Sequence, residues 1–364
     1  MKQAQLHRRL RTDGFTLIEL VIAIALMMII LAAAAGVVIQ SLRSTTLVVS
    51  RADMQNELRA AANQIARDLQ QAGTSVPIGG IPIPSAASGG KDARFGCDNI
   101  QCYLVANNGL TQGTLFKVTP GFQAGPITTE QTDALVITYV DPNLNWNAYP
   151  TNNLPKNGTS LIMPAATNPL VVDPAVGVTV GDVLLLNNIK GYAAGVVTNV
   201  NGGTRTITFA DNDPLNINQS TAPVGNIKAL AFNPLPGVAP FYPQITVQRV
   251  MMVTYFLQTV VTPEGPDVRL MRQVGAHTPI TLAEHIDDLK ITYDLYDDTA
   301  GVLTANLPDA VTGIPPSAKP NQIRKINLTI AARSLRRNAA GQFDHVVYTT
   351  SIGPRNLSFH NRYN

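Results

Sequence analysis

The sequence predicts an α+β protein, in which a long N-terminal helix, transmembrane and then amphipathic, packs on an antiparallel β-sheet with a small inserted β module. Residues 15–72 contain no proline, and their apolar residues form first an unbroken run and then a helical repeat. Short alternating segments between turn residues fill much of the remaining chain. The 364 residues include 27 glycines and 25 prolines but are only 14% charged, a balance typical of turn-rich β proteins.

The N-terminal segment combines a basic leader with an apolar run. Residues 1–14 hold four basic residues and one acidic residue. The 25 residues Phe15–Ile39 are almost all apolar and would form a helix of roughly 37 Å, enough to cross a bilayer core of about 30 Å. Because the positive charges precede this run, we expect the leader to stay cytoplasmic and the chain after residue 40 to be exported.

The helical pattern continues beyond the apolar run with a single apolar stripe. Its members are Leu47, Met54, Leu58, Ala61, Ile65 and Leu69. The charged residues at the other positions, which we expect to face solvent, are Arg51, Asp53, Glu57, Arg59, Arg67 and Asp68. This spacing predicts an amphipathic helix that ends at Gly73, shortly before Pro77.

The exported part begins with loops and short strands. Residues 74–96 are rich in glycine and proline and predict an extended loop. Residues 141–170 are expected to be loop as well. The predicted strands of this part are Cys102–Ala106, Thr114–Val118 and Ala134–Val140, the last of them ended by Asp141-Pro142.

Residues 170–232 predict a compact β module. It has three apolar runs, Val183–Leu186, Ala193–Val200 and Thr206–Ala210, with hairpin signals between them. We expect this segment to be a structural insertion, and binding at an exposed surface is the alternative.

The C-terminal part contains the longest predicted strands. Ile245–Val261 is rich in β-branched and aromatic residues and can pair with Val268–Val274 as a hairpin. Leu289–Tyr296 and Lys325–Ile330 alternate between apolar and polar residues, which indicates half-buried strands, and Phe343–Ile352 supplies another. We expect this antiparallel sheet to cover the amphipathic half of the helix.

The chain is accordingly divided into six parts. These are a leader at 1–14, a transmembrane helix at 15–40, an amphipathic helix at 41–73, a first β part at 74–169, the inserted β module at 170–232 and a second β part at 233–364.

Glu19 is a carboxylate within the apolar run. A charge at the centre of a bilayer costs about 2.5–3.5 kcal/mol on insertion scales, so an acid at this position indicates a function. The alternative is that Glu19 lies near the lipid headgroups and is solvated.

Gly14-Phe15-Thr16-Leu17-Ile18-Glu19-Leu20 resembles the processing motif of type IV prepilins, with a basic leader before it and an apolar stretch after it. The resemblance implies that a prepilin peptidase cuts between Gly14 and Phe15 and methylates the new amine of Phe15. It also implies that Glu19 faces the N-terminal amine of a neighbouring subunit during assembly. Such pilins often have a proline further along the apolar run, where this chain has Gly36.

The order of the β segments resembles the PilW-like minor pilins, which are related to the J-type minor pseudopilins of type II secretion. The similar segments include TDALVITYV, VGDVLLL, YFLQTVV with VRLMRQV, EHIDDLKITYDLYDD, IRKINLTIAARS and SIGPRNLSF. The resemblance implies a single-pass protein of the bacterial inner membrane with a periplasmic C-terminal domain, later located in a pilus at the cell surface. Its implied partners are other pilins and minor pilins, the prepilin peptidase, the assembly platform and, before assembly, membrane lipid.

Cys97 and Cys102 are the two cysteines of the chain. Their spacing fits neither a zinc site nor a two-residue redox motif. If this segment is exported, a small disulfide-closed loop is expected.

No enzymatic motif for hydrolysis, nucleotide binding or dinucleotide binding occurs in the sequence, and we expect neither an enzyme nor a cofactor. His277 and His285, with Glu284, Asp287 and Asp288, offer metal ligands, but a solvated turn is the expected structure. Two acidic runs, Asp211–Asp213 and Asp294–Asp298, suggest calcium without matching an EF-hand loop.

Nucleic acid is not an expected partner. Removal of the leader leaves 23 basic and 23 acidic residues, so the mature chain is neutral. A local basic excess remains, and we expect it to be a solvated strand edge, with DNA binding as the alternative. It consists of Arg324, Lys325, Arg333, Arg336 and Arg337.

Three functions follow as hypotheses. The first is a minor type IV pilin that acts as a structural subunit in pilus assembly or initiation. The second is a minor pseudopilin of a type II secretion system. The third is a pilin that binds DNA or another ligand at the surface.

Overall fold

A computed structural model describes residues 16–84, 112–121, 125–127, 132–145, 158–162, 177–222, 225–231, 244–263, 265–297, 300–307, 322–338 and 341–357. The predicted strand Cys102–Ala106 lies outside these residues. The contacts divide the chain into two compact units, Met1–Asp53 and Met54–Asn364. The architecture is α+β, as predicted, with one long helix followed by antiparallel sheets.

One helix, α1, runs from Leu17 to Gln71. It ends because Gly73 adopts a left-handed conformation with φ of +78°, which a residue without a Cβ adopts at little cost. The Gly73 N–H donates to the carbonyl of Thr138 at 2.8 Å, and the Val140 N–H donates to the carbonyl of Thr74 at 3.0 Å. The end of the helix is therefore hydrogen-bonded to a strand.

The buried stripe of α1 begins at Met54. Within the second unit the buried positions of the helix are Met54, Leu58, Ala61, Ala62, Ile65, Asp68 and Leu69, and Ala72, just after the helix, is buried as well. The prediction was wrong at two positions. Leu47, in the first unit, is 41% exposed, and Asp68, expected to face solvent, is only 3% exposed.

The strands, in chain order, are β1 Ile81–Pro84, β2 Gln112–Leu115, β3 Val118–Gly121, β4 Ala134–Asn145, β5 Ser160–Ile162, β6 Val183–Asn188, β7 Gly191–Val196, β8 Asn199–Asn201, β9 Thr206–Thr208, β10 Thr246–Thr262, β11 Gly265–Val274, β12 Ile280–Ala283, β13 Ile286–Asp297, β14 Val302–Leu307, β15 Ile323–Arg337 and β16 Phe343–Ile352. Short 3₁₀ helices lie at Ile227–Leu230 and Arg355–Leu357.

The largest sheet is seven-stranded and is built around β10. Its main order is β12-β11-β10-β4-β3, and β6 pairs with β10 and with β7. The predicted hairpin is confirmed, because β10 and β11 pair from Val253↔Val274 to Thr262↔Gly265. Strands β6 and β11 follow one another along β10, since β6 pairs with Thr246–Val250.

A four-stranded sheet has the order β14-β13-β15-β16. The predicted alternation is confirmed, because Leu289, Ile291, Tyr293 and Leu295 of β13 are buried, as are Ile326, Leu328 and Ile330 of β15. Both sheets contribute to one apolar core with the amphipathic half of α1. The expected packing of sheet against helix is confirmed.

Several predicted loops contain strands. The strand ended by Asp141-Pro142 was a wrong prediction, because β4 continues to Asn145. Residues 74–96 contain β1, which pairs with β2 through Ile81↔Leu115. The single strand predicted at Thr114–Val118 is divided between β2 and β3. Strand β5 lies in the second predicted loop, where it pairs with β9.

The segment predicted as a β module supplies most of one apolar core, which Leu161, Ile245 and Val247 from outside the segment complete, and its strands also extend the large sheet. Strands β6 and β7 form a hairpin, and β6 pairs with β10. Strands β5, β9 and β8 form a separate three-stranded sheet. The predicted strand Ala193–Val200 is divided between β7 and β8.

Candidate functional site

Glu19 lies in the first turn of α1, where its carboxylate caps the helix. Glu19 Oε2 accepts hydrogen bonds from the Thr16 N–H at 3.0 Å and from Thr16 Oγ1 at 2.8 Å, and the Glu19 N–H donates to Thr16 Oγ1 at 3.4 Å. This is a capping box, in which a Thr and a Glu three residues later satisfy free donors at a helix start. The Thr-x-x-Glu spacing is present in the sequence and was overlooked.

An apolar surface surrounds this capped end. Between Leu17 and Leu42 the Leu, Ile, Val and Met side chains are between 50% and 81% exposed within the chain. By length and composition, α1 is able to cross a membrane, and its most apolar stretch has no burial inside the structure. Exposure of this much apolar surface to water is unfavourable, so lipid or other protein must cover it.

Four of the predicted site residues lie outside the described part of the chain. They are Gly14 and Phe15 of the processing motif, and Cys97 and Cys102 of the candidate disulfide.

The two histidines proposed as metal ligands lie in different clusters. His277 Nε2 is 2.9 Å from Asp182 Oδ1, whereas His285 Nδ1 is 2.7 Å from Asp267 Oδ1. Sequence reasoning missed Asp182, which lies 95 residues from His277, and Asp267, which lies 18 residues from His285 on the preceding hairpin.

Asp267, Glu284 and His285 are the described residues that could hold a metal, with ligand atoms all within 4.8 Å of one another. Arg269 already occupies this cluster. Its Nε is 2.9 Å from Asp267 Oδ2, and its guanidinium also lies 3.1 Å from Glu284 Oε1. The cluster is therefore compensated by a cation from the chain itself.

In both acidic runs, an aspartate accepts hydrogen bonds from other groups of the chain. Asp213 accepts hydrogen bonds from the Leu215 and Asn218 N–H groups, and burial raises the pKa of the Asp213 carboxyl. Partial burial acts to raise the pKa of Asp294, but hydrogen bonds from the Asn306 N–H and Asn327 Nδ2 hold it below its ordinary value.

Two arginines of the basic group on β15 also have partners within the chain. The guanidinium groups of Arg333 and Arg337 lie 5.0 Å and 4.4 Å from the centre of the Phe343 ring. Arg333 Nε is also 3.6 Å from Asp287 Oδ1. These contacts are cation–π and ion-pair interactions within the chain. The side chain of Arg336 is outside the described part.

A buried charged network lies under α1. Asp68 Oδ2 accepts hydrogen bonds from Tyr255 OH at 2.5 Å and from Arg272 Nε at 2.9 Å, and Arg272 Nη2 is also 2.9 Å from it. Burial, and then the negative charge of Asp68, raise the pKa of the neighbouring Tyr139 to about 12. The sequence offers no local sign of this network.

Comparison with known proteins identifies the N-terminus. Residues 9–35 match the family described as the prokaryotic N-terminal methylation motif. No curated protein and no solved structure matches the chain. Residues 9–35 thus carry a type IV prepilin-like motif, and this motif together with the apolar helix indicates membrane anchoring.

Proposed function

We propose that the protein is a minor type IV pilin of the PilW-like kind, a structural subunit that enters a pilus through α1 and takes part in pilus assembly or initiation. The observation that carries this proposal is the methylation motif at residues 9–35, which continues without interruption into a helix with an exposed apolar surface.

In this proposal, prepilin peptidase removes residues 1–14 and methylates Phe15. Residues 15–40 hold the product in the inner membrane, with the β domain in the periplasm, until the assembly platform moves it into a filament with other pilins. Inside a filament the apolar side chains of neighbouring helices replace lipid. No catalytic step by this chain is involved.

Glu19 has a defined part in this assembly. Both contacts from Thr16 use Oε2, and no contact among the described residues uses Oε1. An uncompensated carboxylate in an apolar filament core is costly, and a cationic N-terminal amine offsets that cost only in one stagger of two subunits. The capped carboxylate is thereby held at the helix end, with one oxygen available for the amine of a neighbour.

Mass spectrometry of protein purified from the native membrane tests the processing step. We expect a mature chain that begins at a methylated Phe15. Recovery of a chain that retains residues 1–14 contradicts the proposal.

Replacement of the carboxylate tests assembly. We expect Glu19→Ala to be cut normally but to be incorporated poorly into sheared filaments, because the neighbouring amine loses its partner. Asp53→Ala, which removes an exposed acid farther along the same helix, is the matched control and should be incorporated normally. Incorporation of Glu19→Ala at the control level would mean that the carboxylate is merely solvated.

The second candidate is a minor pseudopilin of a type II secretion system. It is favoured by the same motif, because pilins and pseudopilins share this kind of N-terminus. Co-purification from the native membrane separates the two, since the partners recovered are pilus subunits in one case and secretion subunits in the other.

The third candidate, a surface binder of DNA, is less well supported, because Arg333 and Arg337 already contact Phe343 and Arg333 also contacts Asp287. Its test is charge reversal at Arg333, Arg336 and Arg337, which should abolish DNA capture while piliation persists.

A further inference from the structure

Asp68, Tyr255 and Arg272 form a charged cluster inside an apolar core. Asp68 lies near the end of α1, and its side chain is 4% exposed, while that of Arg272 is 14% exposed. Tyr255 and Arg272 are direct cross-strand partners on β10 and β11. The Arg272 Nε also lies 3.2 Å from Tyr255 OH, so each of the three groups contacts the other two.

Packing of the helix against the sheets does not require this cluster. Leu58, Ile65 and Leu69 are fully buried in the same core, and apolar burial already holds α1 in place. Burial of a carboxylate and a guanidinium carries a desolvation penalty that their attraction offsets only in a good geometry. Net stability is therefore a weak reason for a charge at this position.

A better reason for a charged cluster at this position is that the ion pair and hydrogen bonds of Asp68, Tyr255 and Arg272 are directional. Apolar contacts are not directional, so they resist separation of helix and sheet better than they resist sliding. A slide of one helical turn, about 5.4 Å, would bring Gln64 or Ala72 to the place of Asp68. Either would leave the largely buried Arg272 guanidinium, whose side chain is 14% exposed, without a carboxylate, which is unfavourable.

Further hydrogen bonds hold the chain just after the helix. Besides the bonds that join Gly73 and Thr74 to β4, Asn356 Nδ2 donates to Thr74 Oγ1 at 2.9 Å. A force along α1 thus reaches first the Glu57 carboxylate, which accepts from the Glu284 N–H at 2.7 Å, then Asp68, and then these contacts.

We propose that Asp68, Tyr255 and Arg272 form a register lock, which fixes the axial position of α1 on the sheet so that a pull on the helix moves the β domain as one body. This rests on the proposed function, in which the subunit is drawn from the membrane by its helix and held by it in a filament. The lock positions the helix and takes no part in chemistry.

Single-molecule force spectroscopy on the full chain in lipid nanodiscs tests this proposal, with handles attached through an unnatural amino acid at position 50 and at the C terminus. We expect Asp68→Asn to release α1 from the sheet at a lower force than the wild type does. In hydrogen exchange, the amides of the helix around Ile65 should exchange roughly a hundredfold faster, because a buried pair has lost one charge.

The matched control is Asp53→Asn, the same chemical change at an exposed position of α1, which should behave as wild type. A triple variant, Asp68→Leu with Tyr255→Phe and Arg272→Leu, covers the case in which Asp68→Asn does not fold. It should unfold thermally at or above the wild-type temperature, yet release the helix at a lower force.

Release of both Asp68 variants at the wild-type force overturns the register lock. Because the measurement is made on the single chain, it is independent of filament formation. A chain that never enters a filament contradicts the proposed function and leaves the lock intact, whereas a normal filament with an unchanged release force contradicts the lock alone.

Discussion

At the scale of single residues, the carboxylates of Glu19 and Asp68 lie on the same helix but in different surroundings. Glu19 is capped locally by Thr16, at an end of the helix where its neighbours are exposed apolar side chains. Asp68 is buried, and besides Gln64 of the same helix it contacts Tyr255 of β10 and Arg272 of β11, far along the chain. The first arrangement leaves an oxygen for an external partner, and the second holds the chain to itself.

Tyr139 provides a pH-dependent prediction. Because burial and the charge of Asp68 raise the pKa of Tyr139 to about 12, the folded state keeps this proton after an unfolded tyrosine, with a pKa of about 10, has lost it. The folded state then binds more protons, so its stability is unaffected below pH 10 and falls as the pH rises from about 10 to about 12. Tyr139→Phe should flatten this fall in urea unfolding measured between pH 9 and pH 12. An equally steep fall in the variant would assign the effect to other groups, such as Tyr255, whose pKa is also raised by burial.

At the scale of elements, α1 combines two surfaces in one helix. Between Leu17 and Leu42 its large apolar side chains are exposed, whereas from Met54 onward a stripe of small and branched residues is buried against both sheets. The alanines of this stripe, Ala61 and Ala62, leave room for side chains of the strands in the same core.

Alanine substitutions along the helix should reveal where the buried stripe begins. Ile65→Ala removes a side chain that is 99% buried, and we expect it to cost about 2–5 kcal/mol of unfolding free energy. Leu47→Ala, at a position 41% exposed, should change the stability of the β domain very little. Chemical denaturation in detergent, followed by tyrosine fluorescence, measures both. A comparable loss for Leu47→Ala would place the start of the stripe earlier than Met54.

At the scale of the whole β domain, a charged junction joins the segment around β6 to the central sheet. Arg249 of β10 contacts Asp141 Oδ2 through Nε at 2.9 Å, and another of its nitrogens is 3.6 Å from Asp182 Oδ2. His277 contacts the other oxygen of Asp182. The same junction lies where β6 and β11 meet along β10, since the Ala276 N–H donates to the carbonyl of Gly181 at 2.8 Å.

Removal of the central cation should loosen this junction selectively. Arg249→Ala leaves the buried carboxylates Asp141 and Asp182 without their shared guanidinium, at a cost of roughly 2 kcal/mol, reduced because Arg249 is partly exposed. We expect faster hydrogen exchange in β6 and β7 and an unchanged rate in the buried half of α1. Arg59→Ala, at an exposed position of the helix, is the control. Equally faster hydrogen exchange across the whole domain would indicate that Arg249 stabilises the entire fold and not the contact between β6 and the central sheet in particular.

Much of the fold was predictable because the signals are local. Helical spacing from Met54 to Leu69, the alternation in β13 and β15, and the pairing of β10 with β11 depend on neighbouring residues, and the structure confirms them. The continuation of β4 through Asp141-Pro142 was missed, because turn residues normally end a strand, whereas here Asp141 is held by Arg249 from a distant strand.

For this protein, the sequence by itself determined the prepilin-like N-terminus, the apolar helix and the acid placed within it, since each depends on the order of residues over a few turns. Only the tertiary structure decided that Asp68 is buried, that His277 and His285 belong to different clusters, and that Arg333 and Arg337 contact Phe343. The physical reason is that the energy of a charge depends on its partners, and the Arg272 that compensates Asp68 lies 204 residues further along the chain.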